Sequence, residues 1–305
     1  MAICLLFSTA LVGCSEEKPL FVSLEQRQPL PVPNAAVAER TLKVCVGSMI
    51  MPEEGYGYYR RLLDYLATRM GMRIEVIDPG NYQEVNRLLE SGKVDAAFVC
   101  GGPYVKGSKD FGLQLIAAPL VNGQAHYYSY LIVPVDSAAT SLADLRGHTF
   151  AFADPDSNTG LLVPRSRLAS MGETPDSFFR SYLFTFAHDR SIRAVADRLV
   201  EGAAVDSLIW DYLAIVQPQL TGKTKVIARW GPYGIPPVVA TPGLEAAIRE
   251  RLQAVLLSAH LDPQGKEILE GMHIERFVPM QDAAYDSIRQ LYQQPPPDRP
   301  ESARR

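Results

Sequence analysis

Residues 94–102 read VDAAFVCGG, an apolar run stopped by two glycines, and this stretch decides the fold. It is the third strand-like run in succession. LKVCVGS (42–48) and MRIEVID (72–78) precede it, and helical patterns fill the gaps: GYYRRLLDYLATRMG (57–71) and YQEVNRLLESG (82–92), each stopped by glycine. A strand–helix–strand–helix–strand series predicts a largely parallel sheet with helices on its faces. Working outward, a second alternating unit follows: HYYSYLIVPV, LRGHTFAFADP, GLLVPRSRLASMG, FFRSYLFTF, SIRAVADRLVEG and AAVDSLIWDYLAIV. KVIARWGPYGIPPVVAT (225–241) is extended, because its prolines exclude a helix. Two helical patterns, EAAIRERLQAVLLSAH and AAYDSIRQLYQQ, close the folded part.

Two α/β units linked by extended segments near 126–134 and 225–240 predict two lobes on a two-strand hinge. The expected division is lobe 1 at 41–126 plus 235–293 and lobe 2 at 127–234. The chain has 305 residues, enough for two such cores, with 47% hydrophobic and 21% charged residues. A formal net charge of −4 without a basic stripe excludes nucleic acid as an expected partner.

The ends read differently. MAICLLFSTALVGC (1–14) is an apolar run of signal-peptide length, too short to span a bilayer. Its last four residues resemble a lipobox, which makes Cys14 the expected lipidation site and places the protein in the periplasm, anchored to a bacterial membrane by lipid alone. The run lacks the usual basic residue before it. Residues 15–40 read as a tether, and 294–305, rich in proline and charge, as a loose tail.

Ligands of open α/β sheets sit beyond the carboxyl ends of strands, so the loops after Gly47, Cys100 and Ala153 are expected to line an inter-lobe cleft. The last of these is ADPDSNTGLLVP (153–164). One helix cap needs one residue. Here Ser157, Asn158, Thr159 and Gly160 crowd together at a helix start, where unpaired N–H groups and the helix dipole favour an anion. His188, read as a loop residue, fits either a surface position or this pocket. Asp206 fits either a helix cap or a ligand contact. Gly101, after Cys100, marks a place for close backbone approach. Cys45 and Cys100 fit two buried small hydrophobes, a disulfide or a thiol site.

From about Leu42 to Tyr292 the chain resembles the phosphonate-binding-protein family of type II periplasmic binding proteins, which serve ABC importers of phosphate, phosphite and phosphonates. DPDSNTGLLVP (154–164) is similar to that family's D-P-x-S-T-S-G-x-x-x-P. GKVDAAFVCGGPYV, HYYSYLIVP, AHDRSIRAVADRLVEGAAVDS and GIPPVV follow its order and spacing. The resemblance implies that Ser157, Asn158 and Thr159 hold an oxyanion, that His188 and Asp206 complete that side, and that Tyr58 and Tyr127 close over the ligand. Ordinary half-buried packing is the other role open to both tyrosines. Asn158 and Thr159 depart from the family's Thr and Ser; the amide is bulkier and donates two N–H bonds. Cys100 is the other departure. Some relatives bind arsenite for a sensor histidine kinase through a cysteine, and a soft trivalent arsenic suits a thiol. The expected partners are therefore an oxyanion and an ABC permease, or alternatively a sensor kinase, with the protein a monomer. There is no G-x-S-x-G elbow, P-loop, metal-spaced His pair or G-x-G-x-x-G after the first strand, so no cofactor, metal or catalysis is expected.

Overall fold

A computed structural model describes residues 40–47 and 53–293. Lobe 1 begins with β1 (Thr41–Val46), α1 (Glu53–Met70), β2 (Arg73–Ile77), α2 (Tyr82–Glu90), β3 (Ala96–Phe98), α3 (Gly101–Phe111) and β4 (Gln114–Leu120). The chain then crosses to lobe 2. That lobe holds β5 (His126–Pro134), β6 (Thr149–Phe152), a π-helical turn at Asn158–Leu162 that runs into α4 (Val163–Ser170), and β7 (Ser181–Phe184). It continues with α5 (His188–Ala196), β8 (Gly202–Asp206), α6 (Ser207–Val216) and β9 (Thr224–Gly234). The chain returns for β10 (Val238–Ala240), α7 (Ala246–Ser258), α8 (Pro263–Gly271), β11 (Arg276–Val278) and α9 (Asp286–Gln293). The expected leader with Cys14, the expected tether as far as residue 39, residues 48–52 and the expected tail 294–305 lie outside the described residues.

The lobe 1 sheet has the order β11-β4-β10-β3-β1-β2, and that of lobe 2 the order β7-β6-β8-β5-β9. β10, the first strand after the return crossing, inserts between β3 and β4 and runs antiparallel to both. In lobe 1 only β10 and β11 oppose the other strands, and in lobe 2 only β5 does. Most strands therefore share one direction, as expected, but the pairing is mixed. A strand entering from the other lobe arrives from the opposite end of the sheet. The two crossings lie side by side, and the Ile235 N–H donates to the Ala125 carbonyl at 3.2 Å.

Sequence periodicity accounts for the cores. Leu62, Leu63, Leu66 and Met70 of α1 recur at helical spacing and are all buried against the sheet with Val44, Phe98 and Leu252. Ends are set by caps: Asn81 accepts from the Glu84 N–H, and Asp262 from those of Gln264 and Gly265. Each such cap stabilises a helix by about 1 kcal/mol. Four elements carry no clear sequence signal: α3, β4, α8 and β11. The GGPYV stretch reads as a loop, yet it opens α3, because proline and glycine are tolerated in a first turn where N–H groups lack partners anyway.

Candidate functional site

β6 ends at Phe152, and the chain turns on Asp154 before the π-turn begins. The Asp154 carboxylate is buried and accepts the N–H of Asp156 at 2.8 Å within its own loop. Its other oxygen accepts the N–H of Tyr82, the first residue of α2 in the opposite lobe, at 3.2 Å. This loop therefore lies at the seam between lobes. Gly102 marks the same seam. A Cβ there would collide with the Asp156 carbonyl, so only glycine permits this approach.

Ser157 caps the π-turn, its Oγ accepting the Gly160 N–H at 3.0 Å. Pro164 explains the irregular turn. It has no N–H to offer the Gly160 carbonyl, which accepts from Ala153 instead at 3.4 Å. Gly160 is required as well, since a Cβ there would sit 2.5 Å from that of Ala153. Ser129 of β5 fixes the turn from below by donating to the Thr159 carbonyl at 2.7 Å.

His188 is fully buried and is the first residue of α5, not a loop residue. The loop reading failed because Ala187, its N-cap, offers no capping side chain for a sequence rule to detect. His188 Nδ1 accepts the Asp206 N–H at 3.1 Å, so Nε2 carries the proton and points it at Ser157 Oγ, 3.4 Å away. Burial lowers the imidazole pKa to about 3, so the ring is neutral. Ser157 Oγ thus receives two N–H donors and keeps its own hydroxyl proton free to donate.

Asp206 ends β8 and caps α6, with Oδ1 accepting the Leu208 N–H at 2.8 Å. Burial raises its carboxyl to about 8, despite the N–H groups of Leu208 and Ile209 that favour the charged form. Near neutrality much of it is therefore protonated and can donate a hydrogen bond. Tyr127, also buried, accepts from Asn158 Nδ2 at 3.0 Å, and its oxygen lies 3.4 Å from Cys100 Sγ. Cys100 is a free, fully buried thiol raised to about 11 by burial and by the Asp206 carboxylate. The N–H groups of Asn158 and Gly102 both bear on its sulfur. Cys45 is free too, so the two cysteines are not a disulfide. It sits mid-strand on β1 in the hydrophobic core with Val85 and Leu89.

Three buried side-chain polar atoms in this neighbourhood have no partner among the described residues: Asn158 Oδ1, Thr159 Oγ1 and Tyr82 Oη. Each such atom costs roughly 1–3 kcal/mol when nothing meets it. Tyr82 packs against Cys100 and completes the group from lobe 1. Sequence reading missed it. Its only signal is its place at the start of a helix after a Pro-Gly turn.

The structure brings together Ser157, Asn158, Thr159, Gly160, His188, Asp206, Tyr127, Cys100 and Gly101, where a Cβ would collide with Ile288 Cδ1 at 2.4 Å and lie 3.6 Å from Tyr127 Oη. The Tyr58 ring lies against Gly271 of α8, where a Cβ would collide with it. Together with Asp206, Tyr58 lines an inter-lobe cavity of about 80 Å³.

Comparison with known proteins agrees with this architecture. Residues 48–285 match the family described as the periplasmic substrate-binding protein of phosphonate ABC transporters. The phosphonates-binding periplasmic protein of Escherichia coli is 25% identical over 236 residues, covering 75% of this chain and 69% of that protein. The phosphate-import protein PhnD of Mycolicibacterium smegmatis is 28% identical over half of each chain. Among solved structures, a binding protein of a phosphonate transporter from Pseudomonas aeruginosa superposes with TM-score 0.77 at 22% identity, over 83% of this chain and 85% of that one. PhnD1 from Prochlorococcus marinus, in complex with methylphosphonate, gives 0.75 at 18% identity, over 82% and 96%. With the family's match spanning both lobes and the seam between them, this chain belongs to the periplasmic substrate-binding proteins of phosphonate ABC transporters.

Proposed function

We propose that the protein captures a small oxyanion of the phosphate, phosphite or phosphonate class between its lobes and delivers it to an ABC permease. In this reading it is held to the outer face of a membrane by lipid at Cys14. The observation that carries the reading is the set of unpartnered buried polar atoms of Asn158, Thr159 and Tyr82, gathered around a helix start at the lobe seam. A guest oxyanion supplies their missing partners. Its oxygens accept from Ser157 Oγ, from Thr159 Oγ1 and Tyr82 Oη, and from the protonated carboxyl of Asp206; its own P–OH donates to Asn158 Oδ1. Neutral His188 positions Ser157. A monoanion fits this set better than a dianion, because a dianion beside an ionised Asp206 repeats a like charge in a dry site.

Isothermal titration with phosphate, phosphite and methylphosphonate, read beside small-angle scattering for lobe closure, tests the proposal. Binding with compaction is expected. Absence of binding by all three refutes it.

Cys100 supports a second reading, a sensory protein that docks on a histidine kinase and binds arsenite, because its sulfur lies among the same donors. The Cys100→Ser variant separates the two. It should abolish arsenite binding on the second reading and spare phosphonate binding on the first.

A further inference from the structure

α9 follows lobe 1 in sequence but packs on both lobes. Tyr285, Ile288 and Tyr292 fall three and four residues apart, on one face of the segment that enters and forms this helix. The helix touches α3 of lobe 1, the hinge strand β9 and the π-turn of lobe 2. Tyr285 and Ile288 are fully buried and share one apolar cluster with Tyr104 of α3, Tyr233 of β9, and Leu162 and Val163 of lobe 2. Tyr285 Oη donates to the Ile235 carbonyl, on the return crossing, at 2.8 Å. Arg289 fastens the start of α9, donating to the Asp282 carbonyl at 3.1 Å and to the Asp286 carboxylate at 2.7 Å.

Two glycines relay this packing to the seat. A Cβ on Gly101 would lie 2.4 Å from Ile288 Cδ1. One on Gly102 would lie 2.4 Å from the Asp156 carbonyl, 3.2 Å from the Asn158 nitrogen and 3.3 Å from Tyr292 Oη. At Gly102, therefore, α3, α9 and the 154–158 loop meet with no side chain of α3 between them. Parting the lobes pulls Leu162 and Val163 out of the cluster that Ile288 occupies and exposes apolar surface to water, so α9 favours the closed arrangement. A seat complete only in that arrangement has an apparent affinity that scales with the fraction of the protein that is closed.

Resting on the oxyanion reading of the seat, we infer that Ile288 and Tyr292 are positioning residues for the guest. Through Gly101 and Gly102 they hold the 154–158 loop against α3, so the C-terminal helix, and not the two hinge crossings alone, sets how tightly and how long a guest is kept.

The experiment is isothermal titration of the purified chain with methylphosphonate and with phosphate, beside stopped-flow dissociation, across a size exchange at the contact of Gly101 with Ile288. Gly101→Ala overpacks that contact and should weaken binding about tenfold, mainly through faster dissociation. Ile288→Val removes Cδ1, so the double variant should bind within about threefold of Ile288→Val alone. Tyr292 is 37% exposed, so its variants should keep the fold. Tyr292→Ala should bind about fivefold more weakly, while Tyr292→Phe keeps the ring and should stay within about twofold of wild type. Should Gly101→Ala not fold, the two Tyr292 variants still test the inference. Gly101→Ala or Tyr292→Ala binding as tightly as wild type would overturn it and leave the oxyanion reading standing. So would a double variant as weak as Gly101→Ala, or Tyr292→Phe as weak as Tyr292→Ala. Failure of the wild-type chain to bind either probe would overturn the reading of the seat and the inference with it.

Discussion

Replacing Asp206 by asparagine should stabilise the ligand-free protein at pH 8, and its Tm gain over wild type should grow between about pH 4 and 8. Asp206 is 1% exposed, and burial raises its carboxyl from the ordinary 3.8 to about 8. The sign follows from linkage. Below pH 4 the carboxyl is protonated in both folded and unfolded chains and costs nothing. As pH rises, the unfolded chain ionises first and is favoured, so stability falls until the folded carboxyl also ionises near pH 8. Each tenfold change in proton concentration is about 1.4 kcal/mol, so the full loss has an upper bound of about 6 kcal/mol. Relaxation and water entry reduce this, and a third of it, about 2 kcal/mol, still shifts Tm by several degrees in a chain of this size. Asparagine keeps the cap, because its carbonyl oxygen can accept the Leu208 N–H as Asp206 does now. The assay is Tm against pH for both proteins without ligand, with methylphosphonate titrations at the same pH values. Wild-type affinity should weaken as pH passes 8, where carboxylate and ligand both carry charge, while Asp206→Asn should stay nearly level. A variant less stable than wild type at pH 8, or a Tm difference between the two proteins that does not grow from pH 4 to 8, would refute the reasoning.

Other outcomes follow from the same geometry. Ser157→Ala removes the acceptor of the Gly160 N–H and of His188 Nε2, and should cost about 1–2 kcal/mol in urea unfolding and at least tenfold in oxyanion affinity. Gly102→Ala sets a methyl group against the Asp156 carbonyl, so the ligand-bound protein should scatter as a more open particle and bind more weakly; an unchanged radius of gyration would count against that contact. Burial raises Cys45 to about 12 and Cys100 to about 11, so peptide mapping at pH 8 should find both unmodified by a thiol reagent until the chain is unfolded.

Much of the architecture is legible in the residues because strand and helix periodicities are local. LKVCVGS, MRIEVID and VDAAFVCGG carry enough apolar pattern to be strands wherever they fold, and the DPDSNTG run announces a helix start with more polar groups than a cap requires. Alternation of these patterns also fixes two α/β lobes. The illegible elements are those whose stability comes from neighbours. α3 opens on GGPYV because its first turn abuts the opposite lobe, where side chains would collide. β11 has three residues and exists through pairing with β4.

For the candidate site the division is similar. Sequence alone determined that Ser157, Asn158 and Thr159 start a helix and that Asp206 precedes one, since capping chemistry is written within a few residues; no such signal puts His188 on a helix, because Ala187 carries no capping side chain. Only the tertiary structure decided that Tyr82 joins them, that Tyr58 packs against Gly271, and that Cys45 and Cys100 are free thiols. It also made the apolar cavity beyond Asp206, whose wall draws on residues from Tyr58 to Phe277. No local pattern specifies that wall, because it arises where two separately folded surfaces meet.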